Sequence, residues 1–142
     1  MVIAVIGENC TGKSTLAEKL KEDFGATVYA GKDYLRMAKS PSEAESVFKK
    51  LLAHSVEGDN IIYIISETEH LNLLPEKSFK ILVTADLEVI KDRFAARMHG
   101  TLPPPVAAIL EKNHGKFDGI GNDCHYKNAE CYTALQDKIR SF

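Results

Sequence analysis

Gly7-Glu8-Asn9-Cys10-Thr11-Gly12-Lys13-Ser14 follows the pattern Gly-x4-Gly-Lys-Ser (Walker A), and its flanks decide how the chain folds. Val2 to Ile6 is an unbroken apolar run of strand length, and Thr15-Leu16-Ala17-Glu18-Lys19-Leu20 opens a helix. A glycine-rich turn between a buried strand and a helix start gathers main-chain N–H groups around an anion. The helix adds the positive end of its dipole. Gly7 and Gly12 let the backbone turn inward, Lys13 reaches the outer phosphates and Ser14 holds Mg²⁺; Glu8, Asn9, Cys10, Thr11 and Thr15 complete the cradle. A chance glycine-rich turn with a surface lysine would explain neither flank.

Outward from the loop, strand and helix signals alternate, which predicts a parallel sheet covered on both faces. Leu16, Leu20 and Phe24 form the stripe of the first helix, which Gly25 ends. Ala26 to Ala30 reads as the second strand. Ser40-Pro41-Ser42-Glu43 has capping-box spacing with proline at the first helical position. It opens a helix whose inward face is Ala44, Val47, Phe48, Leu51, Leu52 and Ser55, closed near Gly58. Ile61 to Ile65 is a central strand and Phe79 to Val83 the next. Asp86 is placed to cap a helix with Leu87, Ile90, Phe94 and Met98 inward. Thr101 to Gly121 lacks strand character and holds Pro103-Pro104-Pro105, then a short helical pattern from Val106 to about Lys112. A last strand around Cys124 to Lys127 precedes a helix with Tyr132, Leu135, Ile139 and Phe142 inward. The expected fold is α/β: five parallel strands flanked by helices, with the ligand at their carboxyl ends.

The 142 residues suffice for one domain, 1–142. A hydrophobic fraction of 44% and a net charge of −2 give no electrostatic case for a nucleic-acid or membrane partner. No apolar run has membrane-spanning length, and the first strand lacks the basic flank of a signal peptide. Three cysteines without paired or zinc-like spacing point to a reducing, cytoplasmic setting. The Asn-Lys-x-Asp guanine string is absent. Asp118-Gly119-Ile120-Gly121 matches a switch string but follows the fourth strand, and reads as loop.

Three stretches together resemble the P-loop branch of nucleoside-monophosphate and small-molecule kinases, the adenylate, cytidylate and shikimate kinase group. They are Gly7 to Thr15, Asp33-Tyr34-Leu35-Arg36-Met37-Ala38, and Asp92-Arg93-Phe94-Ala95-Ala96-Arg97-Met98-His99. The resemblance implies ATP and Mg²⁺ as cofactors and a small-molecule phosphoryl acceptor. It implies an acceptor-binding segment at about 32–58 and a short lid at about 99–121. Arg93 would stack on the base, Arg97 would reach the moving phosphoryl group, and the turn of Lys127, Asn128 and Ala129 would contact the purine. Arg93 and Arg97 also lie four apart on one helix face, where like charges repel unless an anion lies between them; the competing view is that both simply favour a helix C-terminus.

Asp33 and Arg36 stand where the acceptor would dock. Asp33 serves equally well as the N-cap of a helix from Tyr34 to Lys39, and Arg36 as a surface residue. Glu67 closes the third strand and is offered either to a magnesium-bound water or to the substrate, with Ser66 a second candidate. His70 reads as a loop residue. The Asp-Gly-Phe-Pro-Arg string of adenylate kinases is absent, and with it a second acceptor arginine, which weakens a nucleoside monophosphate as acceptor. The expectation is ATP–Mg-dependent phosphoryl transfer to a nucleotide, a nucleoside or a shikimate-like hydroxy acid. The alternative is a nucleotide-binding regulatory module without transferase activity.

Overall fold

The computed structural model describes residues 1–142. Its five strands are β1 (Val2–Ile6), β2 (Thr27–Ala30), β3 (Ile61–Ile65), β4 (Phe79–Val83) and β5 (Cys124–Tyr126). They form one sheet in the order β2-β3-β1-β4-β5, with every pairing parallel. β1 is central, pairing Val2 with Ile61 on one side and Ile3 with Phe79 on the other.

All five residues of β1 and of β3 are buried, so each strand must feed two cores. Period-two alternation sorts them. Ile3, Val5, Ile62, Ile64 and Ile81 meet Leu16 and Leu20 of α1 (Lys13–Phe24) with Leu135 and Ile139 of α5 (Tyr132–Arg140). Ala4, Ile6, Tyr63 and Ile65 meet Phe48 and Leu52 of α2 (Pro41–Ser55) on the opposite face. β1 thus exits toward α1, whereas β2 and β3 exit toward the α2 side. The divergence opens a crevice at the carboxyl ends of the strands. α3 (Leu87–Arg97) and α4 (Pro104–Asn113) lie beside it.

Local rules hold at most ends. Gly25 takes φ 60° and its N–H donates to Lys21 O, closing α1. Ser40 Oγ accepts from Glu43 N at 3.2 Å with Pro41 following it, as the capping-box spacing requires. Several expectations are corrected. Val47 is exposed, because α2 touches the sheet along the line Ala44, Phe48, Leu52, Ser55 and Val47 falls one position off it. Met98 is exposed because α3 stops at Arg97, and His99 and Gly100 turn the chain away with positive φ. Phe142 lies beyond the end of α5, half exposed and edge-on to Phe79. Asp86 holds the N-cap position of α3 without a capping bond; its carboxylate lies 4.0 Å from Lys127 Nζ instead. The helix expected over Tyr34 to Lys39 is a 3₁₀ turn, Asp33–Met37.

The 99–121 segment is not a simple flap. Leu110 packs on Ile90 and Cys10, and Phe117 is buried against the α2 face of the sheet. Uncovering one such side chain costs roughly 2–3 kcal/mol, so these residues hold the segment down.

Candidate functional site

β1 delivers the chain to Gly7, whose N–H donates to Ile65 O at 3.1 Å. At this point the loop passes so close to β4 that a Cβ on Gly7 would lie 2.4 Å from Val83 O. Only glycine fits. Two left-handed residues then curl the loop, Cys10 at φ 63° and Gly12 at φ 96°. Consecutive turns of this kind point N–H groups into a concave nest. α1 begins immediately afterwards with no side-chain cap and no acidic residue in its first turn. Its free N–H groups and dipole therefore face the nest unneutralised.

Lys13 is buried, 6% exposed, and its Nζ donates to the Glu8 carbonyl; Thr11 Oγ1 donates to the same oxygen at 2.9 Å. Burial, and after it the charge of Lys116, lowers the Lys13 pKa to about 8, with Arg97 acting in the same direction. Three cations thus converge on one loop. Ser14 and Thr15 are exposed at the start of α1, and Asn9 at the loop tip. Cys10 packs its side chain against Ile90 and Leu110, beneath α4.

A cleft of about 530 Å³ runs from the loop between α3 and the turn after β5. Arg93, Arg97 and Lys19 line it with Gly12, Thr15 and Asn128. Arg93 Nη1 donates to Cys10 O at 3.0 Å, tying α3 to the loop, while the Arg97 side chain is exposed in the cleft. Asn128 Oδ1 accepts from Glu130 N at 3.0 Å, which fixes the turn and leaves the side-chain amide N–H groups for a ligand. The structure therefore brings the loop, both arginines and the 127–129 turn together around one cleft.

Asp33, Arg36 and Glu67 lie apart from that cleft. Asp33 Oδ2 accepts from Ala30 N at 3.0 Å, closing the turn after β2 and leaving Oδ1 free. Arg36 is exposed. Glu67 is exposed at the exit of β3, with Lys116 Nζ 3.9 Å from its carboxylate. The sequence offers Lys112, His114 and Lys116 either as added positive charge on the lid or as a solvated basic face, without saying what they touch; two of them make links here. Lys116 reaches from the 99–121 segment toward both Glu67 and Lys13, and His114 Nδ1 lies 3.2 Å from Glu8 Oε1. Basic residues after a helix carry no periodic signal of what they face. No group of three or more His, Cys, Asp or Glu side chains is placed to hold a metal ion. Ser14 and Glu67, the two residues the sequence offers to Mg²⁺, are both exposed. No helix is long and apolar enough to cross a membrane.

No protein-family model and no curated protein sequence matches the chain. Solved structures do match along nearly its whole length. An uncharacterized protein from Eubacterium ventriosum aligns with a TM-score of 0.69 at 15% identity, over 99% of this chain and 97% of that one. YorR protein from Bacillus subtilis, solved in complex with phosphorylated GDP, gives 0.63 at 19% over 100% and 99%. A shikimate kinase from Bacteroides thetaiotaomicron gives 0.61 at 11% over 99% and 95%. A five-stranded parallel sheet around a phosphate-type loop, shared end to end with these structures, gives the chain the fold of the P-loop nucleotide and shikimate kinase group.

Proposed function

We propose that this chain is a kinase that transfers the γ-phosphoryl group of ATP to a hydroxyl of a small metabolite. The observation that carries it is a buried Lys13 on a nest of main-chain amides, with Arg97 and Lys116 lining the clefts on either side of the loop. A buried cation flanked by two further cations is costly without an anion and well suited to a transition state that spreads charge over phosphoryl oxygens. The residues form one unit over 1–142, with the acceptor at 32–58 and the lid at 99–121. The loop amides and Lys13 hold the β- and γ-phosphates, Arg93 and the Asn128 turn hold the base, and Arg97 neutralises the moving group. Mg²⁺ on Ser14 and Glu67 would screen charge on the phosphates. Asp33 Oδ1 orients the acceptor hydroxyl and takes its proton; the hydroxyl oxygen bonds to the γ-phosphorus, the bond to the bridging oxygen breaks, and ADP leaves with the electron pair.

The test is acceptor-stimulated ADP release across a metabolite panel. Arg97→Ala should lower kcat roughly 10²- to 10³-fold, with ATP affinity changed only a few-fold. A chain that binds ATP while no compound stimulates ADP release is the regulatory module instead.

A second expectation concerns pH. Phosphate oxygens favour charged Lys13, so binding lifts its pKa above the value of about 8 in the empty chain. ATP affinity should therefore fall by only about twofold from pH 7 to 8 and by up to tenfold per unit above that. Calorimetry at pH 7, 8 and 9 checks this; affinity unchanged at pH 9 would contradict it.

A further inference from the structure

Cys10 holds a backbone conformation that suits glycine. Its φ of 63° is left-handed, and His99 is the only other residue with a side chain to share that sign. A Cβ disfavours this region, so contacts beyond the local backbone must hold the residue there. Both ends of Cys10 are held. Its carbonyl accepts from Arg93 Nη1 at 3.0 Å, and its side chain, 5% exposed, is shut into one cluster with Ile90 and Leu110. Ile90 and Arg93 stand three apart on α3, so one stretch of that helix serves the side chain and the carbonyl together. Leu110 arrives from α4 and closes the cluster.

The two preceding loop residues meet the same stretch of chain. Glu8 Oε1 lies 3.2 Å from His114 Nδ1, just past the end of α4. Glu8 and Asn9 share a cavity of about 230 Å³ with Val106, Leu110, Asn113 and Lys116. Three of the four residues between Gly7 and Gly12 are thus faced by residues 106–116. The fourth, Thr11, turns inward onto the Glu8 carbonyl.

These contacts bear on the nest because Cys10 and Gly12 are the turns that curl it. Were Cys10 to relax out of the left-handed region, the N–H groups that follow it would swing away from the concavity. In the empty chain, packing from α3 and α4 keeps them aimed, against the local preference of the backbone. The sulfur's reactivity plays no part; only the volume of the side chain does.

We propose that α4 positions the phosphate loop: Leu110, packed in the cluster of Ile90 and Cys10, keeps position 10 left-handed and so sets nucleotide affinity without touching the nucleotide. The inference rests on the loop being a nucleotide site and not on phosphoryl transfer. Truncating Leu110 makes the competent loop a minority of the empty chain, and apparent affinity falls by that fraction. Glycine at position 10 takes the same φ unaided, so there the dependence on Leu110 disappears.

Equilibrium and stopped-flow binding of a fluorescent ATP analogue with Mg²⁺ to the full chain tests this in a double-mutant cycle. Leu110→Ala should weaken binding about tenfold, through slower association with dissociation changed less than twofold. In a Cys10→Gly background, whatever its own baseline, the same truncation should cost less than twofold. Leu110 belongs to a small cluster outside the two main cores, which spares the fold; Leu110→Val, expected to weaken binding severalfold, repeats the cycle with a smaller change. Ile139→Ala, fully buried at the far end of α5, controls for lost stability. It should lower Tm at least as far as Leu110→Ala and leave ATP affinity within twofold. Unchanged affinity on truncating Leu110, an equal loss with and without Cys10→Gly, a loss carried by dissociation alone, or the same loss from Ile139→Ala overturns the positioning role. A native chain that binds no analogue removes the nucleotide reading and this inference with it. A chain that meets every expectation yet releases no ADP with any acceptor keeps the inference and loses only the kinase.

Discussion

Lys13→Met should bind no ATP, yet unfold at a higher temperature than the native chain in nucleotide-free buffer. The side chain is a nearly buried cation whose pKa is pushed down to about 8 from 10.5. At about 1.4 kcal/mol per pKa unit, the empty fold bears a penalty on the order of 3 kcal/mol for holding it charged. Methionine has similar length and fills the same buried space without charge. The Glu8 carbonyl keeps Thr11 Oγ1 as a donor, so the substitution leaves no buried acceptor bare. Part of the penalty is therefore recovered, about 1–2 kcal/mol, or several degrees in Tm for a chain of this size. The sign is checked by pH. Because the folded pKa lies below the unfolded one, the unfolded chain binds more protons between pH 8 and 10.5, and native stability rises across that window. The gap between variant and native should be widest below pH 8 and narrow above it. Saturating ATP and Mg²⁺ should reverse the order, since a ligand at 100 times Kd stabilises only the native chain, by about 2.7 kcal/mol. A variant that melts lower at every pH without nucleotide would show that Lys13 is a structural cation.

The asymmetry between that lysine and its surroundings marks what sequence could and could not convey. Val2 to Ile6 and Ile61 to Ile65 are apolar at every position, and two-faced burial follows from that composition alone. The phosphate loop announces itself because each of its residue types answers a separate steric or electrostatic demand at fixed spacing. The Arg93–Arg97 pair was legible for a related reason: its period of four matches a helix turn. His70 was not legible. Nothing in Glu69-His70-Leu71 hints at burial, which arises only when Tyr34 and Tyr63 arrive from two other elements. Phe117 was lost in the same way: a single aromatic in a segment without period is anchored by Leu82 and its neighbours across the sheet. Such pairings depend on which loops the topology brings together, and local pattern carries no information about that. Asp86 failed differently. Its residue type suits an N-cap, but the side chain is turned toward Lys127 from a separate element. The ion pair is exposed and long, worth at most about 1 kcal/mol, so it does not by itself account for the missing capping bond.

Gly7→Ala should abolish nucleotide binding and destabilise the fold together, whereas Gly25→Ala should do only the second. Both are single methyl additions at the ends of α1's neighbourhood, and their surroundings differ in kind. An alanine Cβ at position 7 would meet Val83 O at 2.4 Å and Thr11 Oγ1 at 3.0 Å. The first is backbone at the buried end of β4 and cannot rotate away, so either the strand or the loop must move. Overpacking of this kind costs roughly 1–3 kcal/mol. A displacement of about 1 Å also unaims the amides and Lys13, which is enough to lose about 10² in affinity or more. Position 25 has nothing within 4 Å of a Cβ, and only its left-handed φ of 60° opposes alanine. That strain costs about 1–2 kcal/mol and leaves the loop untouched. Urea unfolding and ATP calorimetry on the two variants separate the terms: equal losses of stability should accompany very unequal losses of binding. If Gly7→Ala retained ATP within threefold of the native chain, the close approach of the loop to β4 would not be what shapes the phosphate site. The nest would then owe its geometry to Cys10 and Gly12 alone, whose positive φ values are the other backbone feature that could turn those amides inward.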